Sequence, residues 1–228
     1  MNSMQRASVL LGFVLCAAAC GAGDVSVAEN TPQILTEVPA EIDPSARYLF
    51  YLHGAIIERA GVRPTHPEFG VYEYQEILEV FASRGFVVIS EARAAGTDPM
   101  KYAESVVGQV RALLAAEVPP GNIAVVGFSK GGGIAVVASS ILVIDGVNFV
   151  FIGTCGPWLN DRPEIVPHGR MLSLHELSDD MVGSCETLFA RSTGASVHEE
   201  ITLDLGGGHG AFYRPRSEWI DPVVEWTN

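Results

Sequence analysis

Gly127-Phe128-Ser129-Lys130-Gly131 is a G-x-S-x-G motif set between a Val-rich run, 122–128, and a helical pattern over 131–142. A serine on a sharp strand-to-helix turn projects its hydroxyl clear of the backbone, as a nucleophile must. Flanking glycines lack Cβ, so strand and helix can pass closely there. A serine hydroxyl is a weak nucleophile and needs a base that is itself oriented by an acid. Of the six histidines, His209 stands in Gly206-Gly207-Gly208-His209-Gly210, just after the last predicted strand, where a ring can turn inward. The acid belongs between serine and histidine in this chain order. The segment 172–180 ends the penultimate strand with Asp179 and Asp180. Either carboxylate could fix the His209 tautomer, and Asp179 is the preferred one. A developing oxyanion needs two backbone N–H donors. Lys130, directly after the serine, offers one, and Ala55, directly after His53-Gly54, offers the other. The Lys130 side chain reads as solvent-facing, with binding of an acidic substrate as the alternative.

Other motifs carry less. Gly206–Ala211 also reads as G-x-G-x-x-A, but no βαβ unit surrounds it, so dinucleotide binding is not supported. His175-Glu176 lacks the second histidine of a zinc motif, and no other spacing calls for a metal or a cofactor. Polar residues clustered after predicted strands are candidates for substrate binding: His53, Arg63 and His66 in the segment after the first long strand, Glu91 and Arg93 after the next, and Trp158 further on. Glu58, Arg59, Glu68 and Phe69 share the first of these segments. The alternative is a loop satisfied by its own salt bridges.

The elements that must hold these residues follow from hydrophobic pattern. Buried strands are predicted at 46–53 and 86–90, and further strands at 122–128, 148–154, 170–176 and 197–205, with an antiparallel edge strand at 34–38. Helices are predicted at 72–84, 99–118, 131–142, 182–192 and 216–227, with Gly85 and Pro119-Pro120-Gly121 as breakers. Continuous Val/Ile-rich strands alternating with helices make an α/β protein with a mostly parallel, doubly wound sheet covered on both faces. Ligands on such sheets bind beyond the carboxyl ends of the strands. No composition shift marks a second domain.

The 228 residues carry 48% hydrophobic and 18% charged side chains, enough apolar surface for a packed core. The net charge of -13 makes nucleic acid an improbable partner, because phosphate binding needs a basic face. Arg6, then an apolar run over 7–19, reads as a secretory signal peptide spanning 1–19. The run is too short to cross a bilayer, which takes roughly 20 apolar residues. Ala17-Ala18-Ala19 fits an ordinary signal-peptidase site, and the same segment before Cys20 resembles a lipoprotein lipobox with Ala17 where Leu is usual. Cys20 is therefore a candidate for lipidation and membrane attachment, and the product would be periplasmic or extracellular. Cleavage there removes Arg6 and no acid, taking the net charge from -13 to -14. Residues 20–33 read as a flexible tether and 34–228 as the folded domain. With Cys16 removed and Cys20 at the new terminus, an oxidising compartment would pair Cys155 with Cys185.

A strand ending in His53-Gly54, the G-x-S-x-G elbow, a late aspartate and a later histidine, in that order, resemble the α/β-hydrolase superfamily, and in particular its small dienelactone-hydrolase-like or esterase/lipase-like members. The likeness covers residues 34–227. It implies Ser129 as nucleophile, His209 as general base and Asp179 as orienting acid. Many members insert a helical cap after the sixth strand; the short connection 155–169 leaves no room for one, so an open site is expected. The implied activity is hydrolysis of a carboxylic ester or similar small acyl compound. The same residues would serve a peptidase or thioesterase, and an exported binding protein that keeps the fold without turnover is the reading from another class. Oligomeric state is not legible.

Overall fold

The computed structural model describes Met1 and residues 33–228. The expected signal peptide, Cys16, Cys20 and all but the last residue of the tether lie outside the described residues. Gln33, assigned above to the tether, is the first residue of a strand.

Seven strands form one sheet: β1 Gln33–Leu35, β2 Arg47–Leu52, β5 Phe86–Ile89, β6 Ile123–Phe128, β7 Asn148–Ile152, β8 Gly169–Glu176 and β9 Ala195–Leu203, ordered β1-β5-β2-β6-β7-β8-β9. Every pair in it is parallel. The edge strand β1 was expected to run antiparallel; it pairs parallel with β5, Gln33 opposite Val87. Helices α2 Tyr74–Ser83, α3 Pro99–Ala115, α4 Lys130–Leu142, α6 Glu186–Arg191 and α7 Ser217–Trp226 connect or follow the strands.

Both faces of the central strands are buried, which is why β2, β6 and β7 read as continuous apolar runs, whereas the edge strand β9 has no buried residue. Successive side chains of β2 point to opposite faces. Tyr48, Phe50 and Leu52 join one core with Val106, Val110 and Leu113 of α3 and most of α4. Leu49 and Tyr51 join the other with Ile77 and Phe81 of α2 and Trp219 and Val223 of α7. Helix α3 starts where expected because Asp98 accepts the Met100 and Lys101 N–H groups and Pro99 occupies the first turn. It ends three residues early: Glu117 takes a positive φ of 65°, turning the chain before Pro119.

The other departures lie in segments too short for a periodic signal. A six-residue helix, α1 Ala55–Ala60, follows His53-Gly54 directly and stops at Gly61. A small antiparallel hairpin, β3 Thr65–His66 and β4 Gly70–Val71, fills the rest of the presumed loop. The one-turn helix α5 Pro157–Asn160 lies in the β7–β8 connection, which holds no larger insertion. Helix α6 begins at Glu186 rather than 182 because its predicted first turn is used otherwise. Gly183 N–H donates to the Cys155 carbonyl, Cys185 N–H donates to Glu200, and Cys185 is disulfide-bonded to Cys155. The disulfide joins the loops after β7 and β8. No helix among the described residues is long and apolar enough to cross a membrane.

Candidate active site

The strand order reverses between β2 and β6: the chain runs from β2 outward to β5, then returns to lay β6 on the other side of β2. In open parallel sheets the carboxyl ends on either side of such a reversal frame the crevice where ligands bind. Here those ends are Leu52 and Gly127, paired in register and followed by His53-Gly54-Ala55 and Phe128-Ser129-Lys130.

Ser129 sits between β6 and α4 with φ 55° and ψ −118°, a conformation that costs an L-residue strain and persists where surrounding structure imposes it. Its N–H is held by the Ile152 carbonyl at 2.9 Å. The glycines have a steric cause. A Cβ on Gly127 would collide with the Gly131 backbone, and one on Gly131 would fall within the Leu52 carbonyl. No other residue lets α4 start this close to the sheet.

His209 lies in a 3₁₀ turn, Gly208–Tyr213, with its ring against Phe128 at 4.9 Å between centroids. Its Nδ1 is 2.7 Å from Asp179 Oδ2 and its Nε2 is 2.8 Å from Ser129 Oγ. An ionised carboxylate only accepts, so Nδ1 carries the proton and Nε2 is left to accept from the serine hydroxyl. The Asp179 side chain is fully buried, and its other oxygen accepts the Met181 and Val182 N–H groups. Burial raises its pKa, but the hydrogen bond and charge of His209 and these two N–H donors outweigh it and hold the carboxyl below its usual value. Asp180 is exposed.

Glu176, considered above only for a zinc motif, proves central. Its side chain is fully buried. One oxygen accepts the Leu205 and Gly206 N–H groups, and the other accepts the N–H and hydroxyl of Ser178. Ser178 Oγ in turn accepts Gly208 N–H at 3.1 Å. Burial pushes this carboxyl's pKa up, and the four donors overcome that to leave it lowered. Glu176 thereby ties the loop bearing Asp179 to the loop bearing His209, and it explains why β9 ends at Leu203. Glu176→Gln would aim an amide NH₂ at backbone donors, so its steady-state kcat/KM should fall by about 10²-fold, as misplacement near 1 Å does in oriented catalysis.

Ala55 and Lys130 are the first residues of α1 and α4, where backbone N–H groups have no acceptor inside the helix. Two cavities meet at Ser129. One of about 330 Å³ is lined by Gly54, Ala55, Arg59, His66, Phe69, Met181, His209 and Tyr213. The other, about 340 Å³, is lined by Pro99, Lys130, Gly133, Thr154, Trp158 and Val182.

Of the expected substrate-binding residues, His66 and Trp158 line these cavities and four do not. Arg63 is exposed and paired bidentately with Glu73. Glu91 is exposed and accepts a hydrogen bond from Tyr102. His53 and Arg93 are buried and bonded to one another, so neither has surface to offer a ligand. The Lys130 side chain, expected in solvent, is instead ion-paired to Glu58 at 2.6 Å. Charged residues near strand ends were here satisfied internally. Among the described residues, no group of three or more His, Cys, Asp or Glu is arranged to hold a metal ion.

His53 should make stability depend on acid pH. Burial, followed by the Arg93 charge, lowers its pKa from 6.5 to about 4. Between those values the unfolded chain binds a proton that the folded chain refuses. Stability therefore falls as pH drops through this window, by up to about 3 kcal/mol. Denaturant midpoints measured from pH 7 to pH 4 should show this slope, and it should flatten in His53→Gln.

No protein-family model matches the sequence, and no curated protein matches it. Solved structures do. SOBER1 of Arabidopsis thaliana is 12% identical, with 80% of this chain and 98% of that one covered at a TM-score of 0.51. ATU1826 of Agrobacterium tumefaciens, a protein of unknown function described as a candidate alpha/beta hydrolase, is 19% identical over 82% of this chain and 84% of that one, also at 0.51. An acylaminoacyl peptidase of Pyrococcus horikoshii is 12% identical over 78% of this chain and 37% of that one, at 0.50. At these identities the likeness is one of fold: the chain has the α/β-hydrolase fold, with no large cap among the described residues.

Proposed function

We propose that this α/β-hydrolase-fold chain is an exported serine hydrolase that cleaves a carboxylic ester of a small molecule through an acyl-enzyme. The observation that carries the reading is the unbroken hydrogen-bond chain Ser129–His209–Asp179 at a strained strand-to-helix turn. Ser129 Oγ attacks the ester carbonyl carbon while its proton passes to His209 Nε2, and Asp179 stabilises the resulting imidazolium. The carbonyl oxygen becomes an oxyanion facing the Ala55 and Lys130 N–H groups. His209 then gives its proton to the departing alcohol oxygen. Water, activated by His209, attacks the acyl-enzyme, and the acid leaves. Export is supported by the residue pattern of 1–19 and is consistent with the Cys155–Cys185 disulfide. Lipidation of Cys20 would attach the mature chain to a membrane.

The general acid must reach the leaving oxygen, so the alcohol portion lies on the side of His209, in the cavity with Phe69 and Tyr213. The acyl portion takes the remaining direction, into the cavity beneath Trp158 and Gly133. Two p-nitrophenyl and alkyl ester series test this, one varying the acyl chain and one the alcohol. Trp158→Ala should move the preferred acyl length upward and leave the alcohol profile alone. Phe69→Ala should do the converse. An exchange of these two effects would overturn the orientation, and folded wild type inert towards both series would overturn the activity.

A further inference from the structure

The two oxyanion donors, Ala55 and Lys130, begin different helices, each three residues beyond the register pair Leu52–Gly127 of neighbouring strands. Three charged side chains connect them. Glu58 stands three residues into α1 from Ala55, and its side chain is 97% buried. Its Oε1 accepts Arg93 Nε at 3.1 Å and its Oε2 accepts Lys130 Nζ at 2.6 Å. Arg93 has a fully buried side chain and donates through Nη2 to the carbonyl of His53, two residues before Ala55. The Arg93 N–H also donates to His53 Nε2 at 2.9 Å, a second hold on the same strand end. Lys130 Nζ completes its contacts with the Thr97 carbonyl at 2.7 Å.

We propose that Glu58, together with Arg93 and Lys130, is a positioning group that sets the spacing of the two oxyanion donors. This rests on the reading of Ser129 as nucleophile. Buried ion pairs are weak sources of stability, because desolvation offsets their attraction. Their geometric consequence is larger here. An oxyanion donor works only when it lies about 2.7–3.1 Å from the oxygen's place in the transition state. Glu58 holds by one carboxylate the residue that supplies one donor and the arginine that pins the backbone leading to the other. The lysine is thus tied at both ends: its N–H faces the reaction, and its ammonium reaches the helix of the opposite donor.

Lys130→Met keeps the Lys130 N–H and leaves the buried Arg93–Glu58 pair intact, so it removes the tie with little threat to folding. Its kcat should fall about tenfold or more, as loss of oriented geometry does, with KM within about twofold. Affinity for a phenylboronic acid, which forms a tetrahedral oxyanion mimic on Ser129, should fall by the same factor as kcat/KM. Lys130→Arg should restore both. Glu58→Gln should reproduce the pattern, and the double variant should add little to it, because the groups act as a unit. The proposal is overturned if folded Lys130→Met retains kcat and boronate affinity within about twofold, or if the two single losses multiply in the double variant. If Glu58→Gln fails to fold, Lys130→Met against Lys130→Arg decides. Wild-type protein that neither hydrolyses esters nor binds the boronate would instead refute the Ser129 reading.

Discussion

Ser129→Ala is expected to fold as wild type does and to lose about 10⁶-fold in kcat towards a p-nitrophenyl ester, the scale at which a triad nucleophile acts. The size of the effect follows from what remains. The oxyanion donors, both cavities and His209 are untouched, yet no atom is left to form the acyl-enzyme. Residual turnover then rests on binding and electrostatics alone. The variant's stability carries separate information. Alanine inherits the φ of 55° that Ser129 bears, so its melting temperature should stay near wild type. Ser129→Gly should be equally inactive but more stable by about 1 kcal/mol, because glycine adopts this conformation without strain. Inactivity combined with higher stability would mark the turn as a place where strain is held for function.

Asp179→Asn is expected to lower kcat by about 10⁴-fold, while Asp180→Asn leaves it within twofold. The asparagine amide can present NH₂ to His209 Nδ1, which favours the tautomer protonated on Nε2. That ring cannot accept the Ser129 proton, although its position is unchanged. Asp180 is exposed and its side chain makes no hydrogen bond to His209. Measuring kcat for both variants side by side separates the two aspartates, and a loss confined to Asp180→Asn would reverse the assignment.

The main helices were legible because each is long enough to show its period, and the central strands because each is a short, mostly apolar run. NFVFI of β7 is short and rich in Val, Ile and Phe, as a strand buried on both faces should be, and Pro99 after Asp98 marks the start of α3 in the sequence itself. Ser129 and His209 were legible for a similar reason, since a local strand–turn–helix and a glycine-rich loop announce them. The direction of β1 was not, because pairing direction is decided by which strand lies beside it, and that is a tertiary fact. Helix α1 and the β3–β4 hairpin are too short to leave a pattern. His53 and Arg93 were misplaced for a physical reason: polar residues at the carboxyl ends of strands suit a substrate and a buried network equally well. Only three-dimensional neighbours distinguish them. Glu176 and Glu58 share that lesson. Neither belongs to a motif, and each draws its meaning from donors far away in sequence, Leu205 and Gly206 for the first, Arg93 and Lys130 for the second.

The central claim is that Ser129 is an activated nucleophile. Incubating the folded protein with a fluorophosphonate probe tests it most directly, because the probe phosphonylates a serine only where a base activates it and an oxyanion hole receives the product. The expected result is a single adduct mapped by mass spectrometry to Ser129, absent from Ser129→Ala and strongly slowed in Asp179→Asn. Folded wild type that takes up no probe, or labelling that persists in Ser129→Ala, would contradict the account.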